Sequence, residues 1–459
     1  MVKNKKKRLK SVLVSFLMIS LGGSIGWFFF FFFESSKPII QITNDFKIIG
    51  ASQTISGIIH DTKTGIRKIQ ITLIKDNQHV SLYKQEFDFS VFKIANAVKE
   101  HPIHIQVIPK KLLIPDGAAQ IQFIVEDNSF RRWFKGNRII QTIETQIDTT
   151  PPRIEILSKH HYLTQGGAGI VIYRVSELNT KNGVQVGERF YEGYSGYFDD
   201  PLISMVIFAL RYDQGPDTKI YVLAKDQADN QKKASFYYRI RKRRFKKDRI
   251  NISDGFLRKK MPEFQERGAQ PSSLVDTFLK VNRKIRKENS DLLISYCRQS
   301  DNTIYWKGSF LRLPGSATRA TFGDIRSYYY HRKKIDQQTH LGIDLASTQQ
   351  AQIPAANDGK IVFCSTIGIY GKVILIDHGM GLFSMYSHLS RFVVEAGQMV
   401  KKGDIIGYSG ETGMAAGDHL HFSMVIQGTF CNPIEWWDPR WVKNRIIDKI
   451  NLFDRKPLD

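Results

Sequence analysis

Residues 11–33 contain no charged side chain, and the ten residues before them carry Lys3, Lys5, Lys6, Lys7, Arg8 and Lys10. About 20 apolar residues cross a bilayer core as a helix. A secretory signal has a shorter apolar region, about 7–15 residues, and ends at a small-x-small cleavage site. This run is longer and ends in "FFFFFFESSKP" without such a site. The pattern predicts an uncleaved signal anchor; the alternative is a long signal peptide that is removed. The basic end stays in the cytoplasm and everything after Glu34 is exported. The expected location is therefore the cytoplasmic (inner) membrane, crossed once, with the body in the periplasm or another extracytoplasmic space. Export argues against nucleic acid as the partner of a chain with formal charge +23, and leaves anionic lipid or cell-wall polymer. Gly22 and Gly26 form a GxxxG pair, a pattern that allows two helices to pack as a homodimer and is equally compatible with lipid contact.

The 459 residues suffice for two to four domains, and 42% hydrophobic content supplies their cores. The fold class expected is mainly β: an N-terminal transmembrane helix, two β-sandwich (Ig-like) domains, a short helical linker and a C-terminal antiparallel β-sheet domain. A basic tail occupies 1–10 and the anchor 11–33. "KIQITLI" and "AQIQFIVED" alternate and are rich in β-branched residues, which predicts a β-sandwich over 38–147. "DTTPP" at 148–152 breaks the chain and opens a second sandwich over 148–240. "IQFIVEDNS" and "YVLAKDQADN" each place an acidic, Asn-containing turn after a strand, about 100 residues apart, as in two related sandwich units. "DTTPP" and "AKDQADN" also resemble phrases of bacterial immunoglobulin-like domains, which implies spacer or binding modules without chemistry. Residues 241–300 read as a basic linker, "RIRKRRFKKDR", followed by a helix capped by Ser273 and Asp276, with Leu274, Phe278, Val281 and Ile285 on one face. The linker is either a solvated tether or a contact for wall polymer or lipid headgroups. From about Asp301 the chain changes to Gly-rich turns between β-type runs, so a further domain is expected over 301–440 and a tail over 441–459. Cys297, Cys364 and Cys431 have no metal-type spacing and allow at most one disulfide.

"GDHLHFSM" at 417–424 puts His419 and His421 one residue apart. On a strand, residues i and i+2 share a face, so both rings enter one site. "HLGIDLA" sets His340 and Asp344 four apart. A fully extended strand holds them about 13 Å apart, too far to share an ion, so the backbone must bend there, and Gly342 permits a bend. Zinc accepts His nitrogen and Asp oxygen, and three protein ligands with one open position is its catalytic pattern. His340, Asp344 and one histidine of the pair supply that count. His378 and His388 fall in the same stretch of about 80 residues. His378, in a turn after "VILID", is assigned a structural role, and Tyr386 is assigned to the core. Arg326 is either a contact for an acidic stem peptide or a plain surface arginine.

Four phrases, "HLGIDLA", "YGKVILIDHGMGLFSMYSHLS", "GQMVKKGDIIGYSGETG" and "GDHLHFSM", together resemble the lysostaphin-type (LytM-like) zinc metallopeptidases, in the same order and spacing. The resemblance covers about 310–433. It implies zinc ligands at His340, Asp344 and His421, catalytic non-ligand histidines at His388 and His419, and an antiparallel β-sheet groove that cleaves peptidoglycan peptides. Asp418 stands where the family often has proline, and Ser423 where it often has glutamate.

The expected function is a zinc-dependent endopeptidase on crosslinked stem peptides, with D-alanyl–diaminopimelate bonds favoured over glycine bridges. A non-catalytic or latent wall-binding regulator is the alternative; the presence of every ligand and both histidines argues against it. An exported bacteriolysin would carry a wall-binding module after the protease, and none is legible.

Overall fold

The structure is a computed structural model that describes residues 2–88, 96–265 and 273–453. Its chain divides into two compact units, residues 1–151 with Asp226–Asn230, and residues 152–225 with 231–459.

The first unit begins with the helix Val2–Phe32. Its stretch Ser11–Phe32 has a mean hydropathy of 1.9 and is long and apolar enough to cross a membrane. Open space surrounds Gly22 and Gly26. Beyond the helix, a three-stranded sheet (Ile39–Ile42, Gln53–His60, Glu100–Val107) and a five-stranded sheet built around Gly117–Asp127 form one core. Alternation places Ile55, Ile59, Ile103 and Ile105 of one sheet, and Ile69, Ile71, Ile121 and Phe123 of the other, in that core. This is a sheet-on-sheet arrangement over the residues expected to hold the first sandwich.

The second unit opens with two four-stranded sheets, one centred on Ala168–Val175 and Ile203–Ala209, the other on Lys181–Val186 and Ile220–Lys225. Their buried side chains are continuous with those of the sheet that follows. That sheet is antiparallel and runs, in spatial order, Ala317–Ala320, Ile343–Ala346, Leu420–Ile426, Leu382–Leu389, Gly371–Asp377, Gly359–Ile367 and Met399–Val400. Every residue of Leu382–Leu389 and Leu420–Ile426 is buried, as central strands covered on both faces must be.

Two segments differ from expectation. The basic linker is not a solvated tether throughout, because Lys247–Asn251 is a strand paired in parallel with Ile325–Tyr330. After it, Leu257, Met261 and Phe278 bury against Tyr328, and the helical run 274–296 sends Val281 and Leu293 into the main core. Ser273 caps that run as expected, accepting the amide of Asp276. The 441–459 tail is largely helical: Val442, Ile446 and Ile450 are buried, and 454–459 lie outside the described residues. Charge-rich composition hid both segments, since each alternates basic residues with the few apolar side chains that anchor it. All three cysteines are free thiols.

Candidate functional site

Asp344 and His421 sit directly opposite each other on the antiparallel strands Ile343–Ala346 and Leu420–Ile426. Facing residues of such a pair point to the same side, which brings the carboxylate and the imidazole together. His340 follows the strand Lys333–Thr339 and reaches the same point across a bend. The bend does not use the left-handed conformations open to glycine, since Gly342 is not among the glycines with positive φ. Gly342 is needed for space: a Cβ there would lie 2.5 Å from Ser423 Oγ and 2.6 Å from the His421 ring.

The three groups converge closely. His340 Nε2 lies 2.9 Å from Asp344 Oδ1 and 2.9 Å from His421 Nδ1, and His421 Nδ1 lies 2.9 Å from Asp344 Oδ1. Their outer partners fix the tautomers. His340 Nδ1 is 3.0 Å from the Thr321 carbonyl, which only accepts, so that nitrogen carries the proton. Ser423 Oγ donates to the Leu341 carbonyl at 2.9 Å and is left to accept from His421 Nε2 at 3.1 Å. Both inward nitrogens are then bare lone pairs, and Asp344 Oδ1 is an acceptor as well. Three lone pairs at this separation repel unless a cation sits among them. Zinc bonds of about 2.0–2.2 Å in tetrahedral geometry put donors about 3.3–3.6 Å apart, so a small outward shift of these groups would seat the ion. The donor set therefore fits a divalent metal.

Asp344 is held ionised despite its burial. Burial alone would raise its carboxyl, but His340 and His421, when an inward nitrogen carries a proton, outweigh that and hold it well below the usual carboxylate range; with both inward nitrogens bare, the Arg326 ion pair is the positive charge beside it. Burial lowers His421 to about 4, so its imidazole stays neutral, as a metal ligand must be. Arg326 Nη2 donates to Asp344 Oδ2 at 2.7 Å. Arg326 is thus not a plain surface arginine: it orients the Asp344 carboxylate.

Two more histidines enter the cavity of about 630 Å³ in front of this triad. His388, the last residue but one of its fully buried strand, has φ +64, a left-handed conformation that costs a non-glycine residue about 1–3 kcal/mol and is typical of functional sites. Its Nδ1 meets the Thr412 carbonyl at 2.9 Å. His419 Nδ1 meets the Gly417 carbonyl at 2.8 Å, and its Nε2 is 3.7 Å from Asp344 Oδ1. Each ring therefore keeps its proton on Nδ1 and turns Nε2 to the cavity. The two ring centroids are 4.9 Å apart. Burial, reinforced by His419 and His421, lowers His388 well below the ordinary histidine value.

His378 lies apart from these groups. It is fully buried, with Nδ1 2.7 Å from the Asp358 carbonyl and Nε2 2.7 Å from Ser384 Oγ. Tyr386 is core, its hydroxyl accepting the Ala356 amide at 2.7 Å. Burial lowers His378 from 6.5 to about 4. The unfolded chain binds this proton as the pH falls from 6.5 to 4, while the folded chain does not. The stabilisation is full above pH 6.5 and falls by about 3 kcal/mol towards pH 4. Urea unfolding at pH 7 and pH 4 should show wild type losing about that much more than His378→Gln.

The stretch of chain that carries these residues matches a known family. Residues 338–433 match the model for Peptidase family M23. The C-terminal part of the chain is an M23 domain. Over 130 residues, 28% of this chain, it is 37% identical to the "DD-carboxypeptidase/endopeptidase Mpg" of Neisseria meningitidis serogroup B. Over 96 residues, 21% of this chain and 22% of the relative, it is 33% identical to the "Peptidoglycan DD-endopeptidase ShyA" of Vibrio cholerae. The chain spans about 29% of the length of the Neisseria relative. Among solved structures, the catalytic domain of lysostaphin from Staphylococcus simulans is 29% identical over 28% of this chain and 98% of that domain, with a TM-score of 0.25. Membership of this metallopeptidase family implies a metal in the M23 domain.

The sequence did not single out Thr321, Thr412, Gly417 or Ser423 as partners of the histidines. Three act through backbone carbonyls, which no side-chain pattern reveals. Ser423 was legible: a strand residue two beyond His421 shares its face. Asp418 also has a local role, accepting the Gln350 amide at 2.9 Å and the Ser409 hydroxyl at 2.5 Å.

Proposed function

We propose that the chain is a membrane-anchored zinc endopeptidase that hydrolyses crosslinked stem peptides of peptidoglycan, D-alanyl–diaminopimelate bonds in particular. The observation that carries this reading is the convergence of His340 Nε2, Asp344 Oδ1 and His421 Nδ1 as three proton-free donors beside two further histidines. These three residues would hold the zinc. When bound, it supplies Lewis acidity, polarising a scissile carbonyl and making water acidic enough to attack near neutral pH.

The protein's own groups do the rest. Arg326 keeps Asp344 oriented through Oδ2, leaving Oδ1 for the metal. His388 and His419, anchored by Nδ1, present Nε2 to the cavity. Between them they accept the proton of the attacking water, stabilise the tetrahedral oxyanion of the substrate and return a proton to the leaving amine. The names of the Neisseria and Vibrio relatives support stem crosslinks as the substrate. The helix Ser11–Phe32 serves as the single anchor in the cytoplasmic membrane, with Gly22 and Gly26 as its pairing face in a homodimer, and the Ig-like sandwiches serve as spacers in the periplasm or extracytoplasmic space.

The latent or regulatory reading has one observation in its favour. Phe256 and Lys259, from the segment before the M23 domain, line the same cavity, and Lys259 pairs with Glu411 at 3.1 Å. Incubating the full-length protein in detergent with purified crosslinked peptidoglycan separates the two. The endopeptidase should hold about one zinc per chain, as a three-ligand site does, and release uncrosslinked muropeptides. A chelator should abolish release and added zinc restore it. Bound zinc without muropeptides favours the regulator, and a chain that binds no metal refutes the ligand assignment.

A further inference from the structure

Three cations line the cavity that contains the candidate metal ligands: Lys259, Arg286 and Arg326. Lys259 and Arg326 have carboxylate partners, Glu411 at 3.1 Å and Asp344 at 2.7 Å. Arg286 does not, among the described residues. Its Nη2 donates to Asn282 Oδ1 at 2.6 Å and its Nε to the Asn282 carbonyl at 3.2 Å. Both acceptors are neutral. Asn282 is completely buried, and its own Nδ2 is tied to Asp336 Oδ2 at 2.7 Å. This amide fixes the direction of the guanidinium without neutralising it. A guanidinium has five N–H donors, so three remain.

Arg286 also lines a cavity of about 140 Å³ together with His340, His421 and Tyr370. The small cavity is thus lined by His340 and His421, by the Arg326 that pairs with Asp344, and by the uncompensated, pre-oriented guanidinium of Arg286. Such a fork matches a carboxylate in size, charge and geometry. At the cut itself, the α-carboxyl of the carbonyl-side residue is the amide carbonyl and carries no charge. A free α-carboxylate next to the scissile bond belongs to the residue on the amine side. It is present where that residue ends a chain, and where a diamino acid is acylated on the amine of a carbon that also bears a carboxylate. Glycine bridges have none.

We propose that Arg286 binds a free carboxylate on the amine-side residue of the substrate, and so selects stem peptides with that group over amidated or glycine-bridged ones. The inference rests on the peptidase reading and adds a specificity-determining residue contributed from outside residues 338–433.

The test pairs a stem-derived peptide ending in a free D-alanine carboxylate with its carboxamide. Both are given to the full-length zinc-loaded protein, to Arg286→Gln and to Arg286→Lys. Losing a charge-assisted pair costs about 10–100-fold. Wild type should therefore favour the carboxylate by about that factor in kcat/KM. Arg286→Gln should cleave both peptides alike, with unchanged zinc content, and Arg286→Lys should keep part of the preference. A variant that slows both peptides equally while keeping the ratio marks a merely structural arginine and overturns the proposal, as does a wild type without preference. If wild type cleaves neither peptide, the peptidase reading stands or falls on muropeptide release from crosslinked peptidoglycan, and calorimetric binding of D-alanyl-D-alanine and its amide decides the anchor. A preference for the free carboxylate that Arg286→Gln abolishes upholds the anchor; equal binding refutes it.

Discussion

His421→Ala should lose metal and hydrolysis together, while His419→Ala keeps its metal and loses hydrolysis alone. His421 lies on the strand Leu420–Ile426 and His419 just before it, bridged to Gly410, yet their surroundings assign them different work. His421 has its outer nitrogen committed to Ser423 Oγ and its inner one 2.9 Å from both other donors. Removing it leaves two donors for a metal that needs three from the protein. His419 is held by the Gly417 carbonyl and stands 3.7 Å from Asp344 Oδ1, outside that triangle. Its removal takes away a proton carrier, which is worth about 10²–10⁴-fold in kcat. Zinc content by elemental analysis and muropeptide release, measured on the same preparations, separate the two outcomes. A His419→Ala protein that is purified without zinc would place His419 among the ligands and reverse the assignment. His388→Ala should resemble His419→Ala, because its Nδ1 is likewise held by a carbonyl.

The contrast also shows what a sequence can convey about such a site. Strand alternation paired His419 with His421, and spacing with a bend paired His340 with Asp344; the role of His388 and the division into ligands and non-ligands came only from the resemblance to lysostaphin-type peptidases. The reason for Gly342 was legible only as flexibility, whereas the structure makes it a matter of room beside His421. Arg326 was ambiguous because its partner, Asp344, is 18 residues away on another strand. Arg286 was invisible for a similar reason. It lies in a helix full of lysines and arginines, where one cation facing a cavity looks like its solvated neighbours. The strand Lys247–Asn251 was hidden by the same basic composition. Its pairing is parallel and long-range, and neither property leaves a local pattern.

That hidden strand bears on the second large prediction. A fragment of residues 301–459 should fail to fold, although it contains every candidate metal ligand and both candidate catalytic histidines. Truncation there exposes the edge of Ile325–Tyr330, which leads towards His340, and an uncovered strand edge invites aggregation. It removes Leu257, Met261 and Phe278 from around Tyr328, and Val281 and Leu293 from the main core. Each such side chain contributes about 1.5–3 kcal/mol by burial, so together they approach the whole net stability of a domain, about 5–15 kcal/mol. Polar ties go as well: Asn289 Oδ1 accepts the Ile369 amide at 2.9 Å, and Arg283 pairs with Asp336 at 3.1 Å. A fragment of residues 152–459 keeps all of these and should retain zinc and activity. Circular dichroism, solubility and muropeptide release from the two fragments give the comparison. If residues 301–459 fold, bind zinc and outperform the longer fragment, the upstream segment is a removable inhibitor, and the latent reading gains. If only residues 152–459 fold and cleave, the segment before the M23 domain is part of the enzyme's wall, as the burial of Phe278 and Leu293 requires.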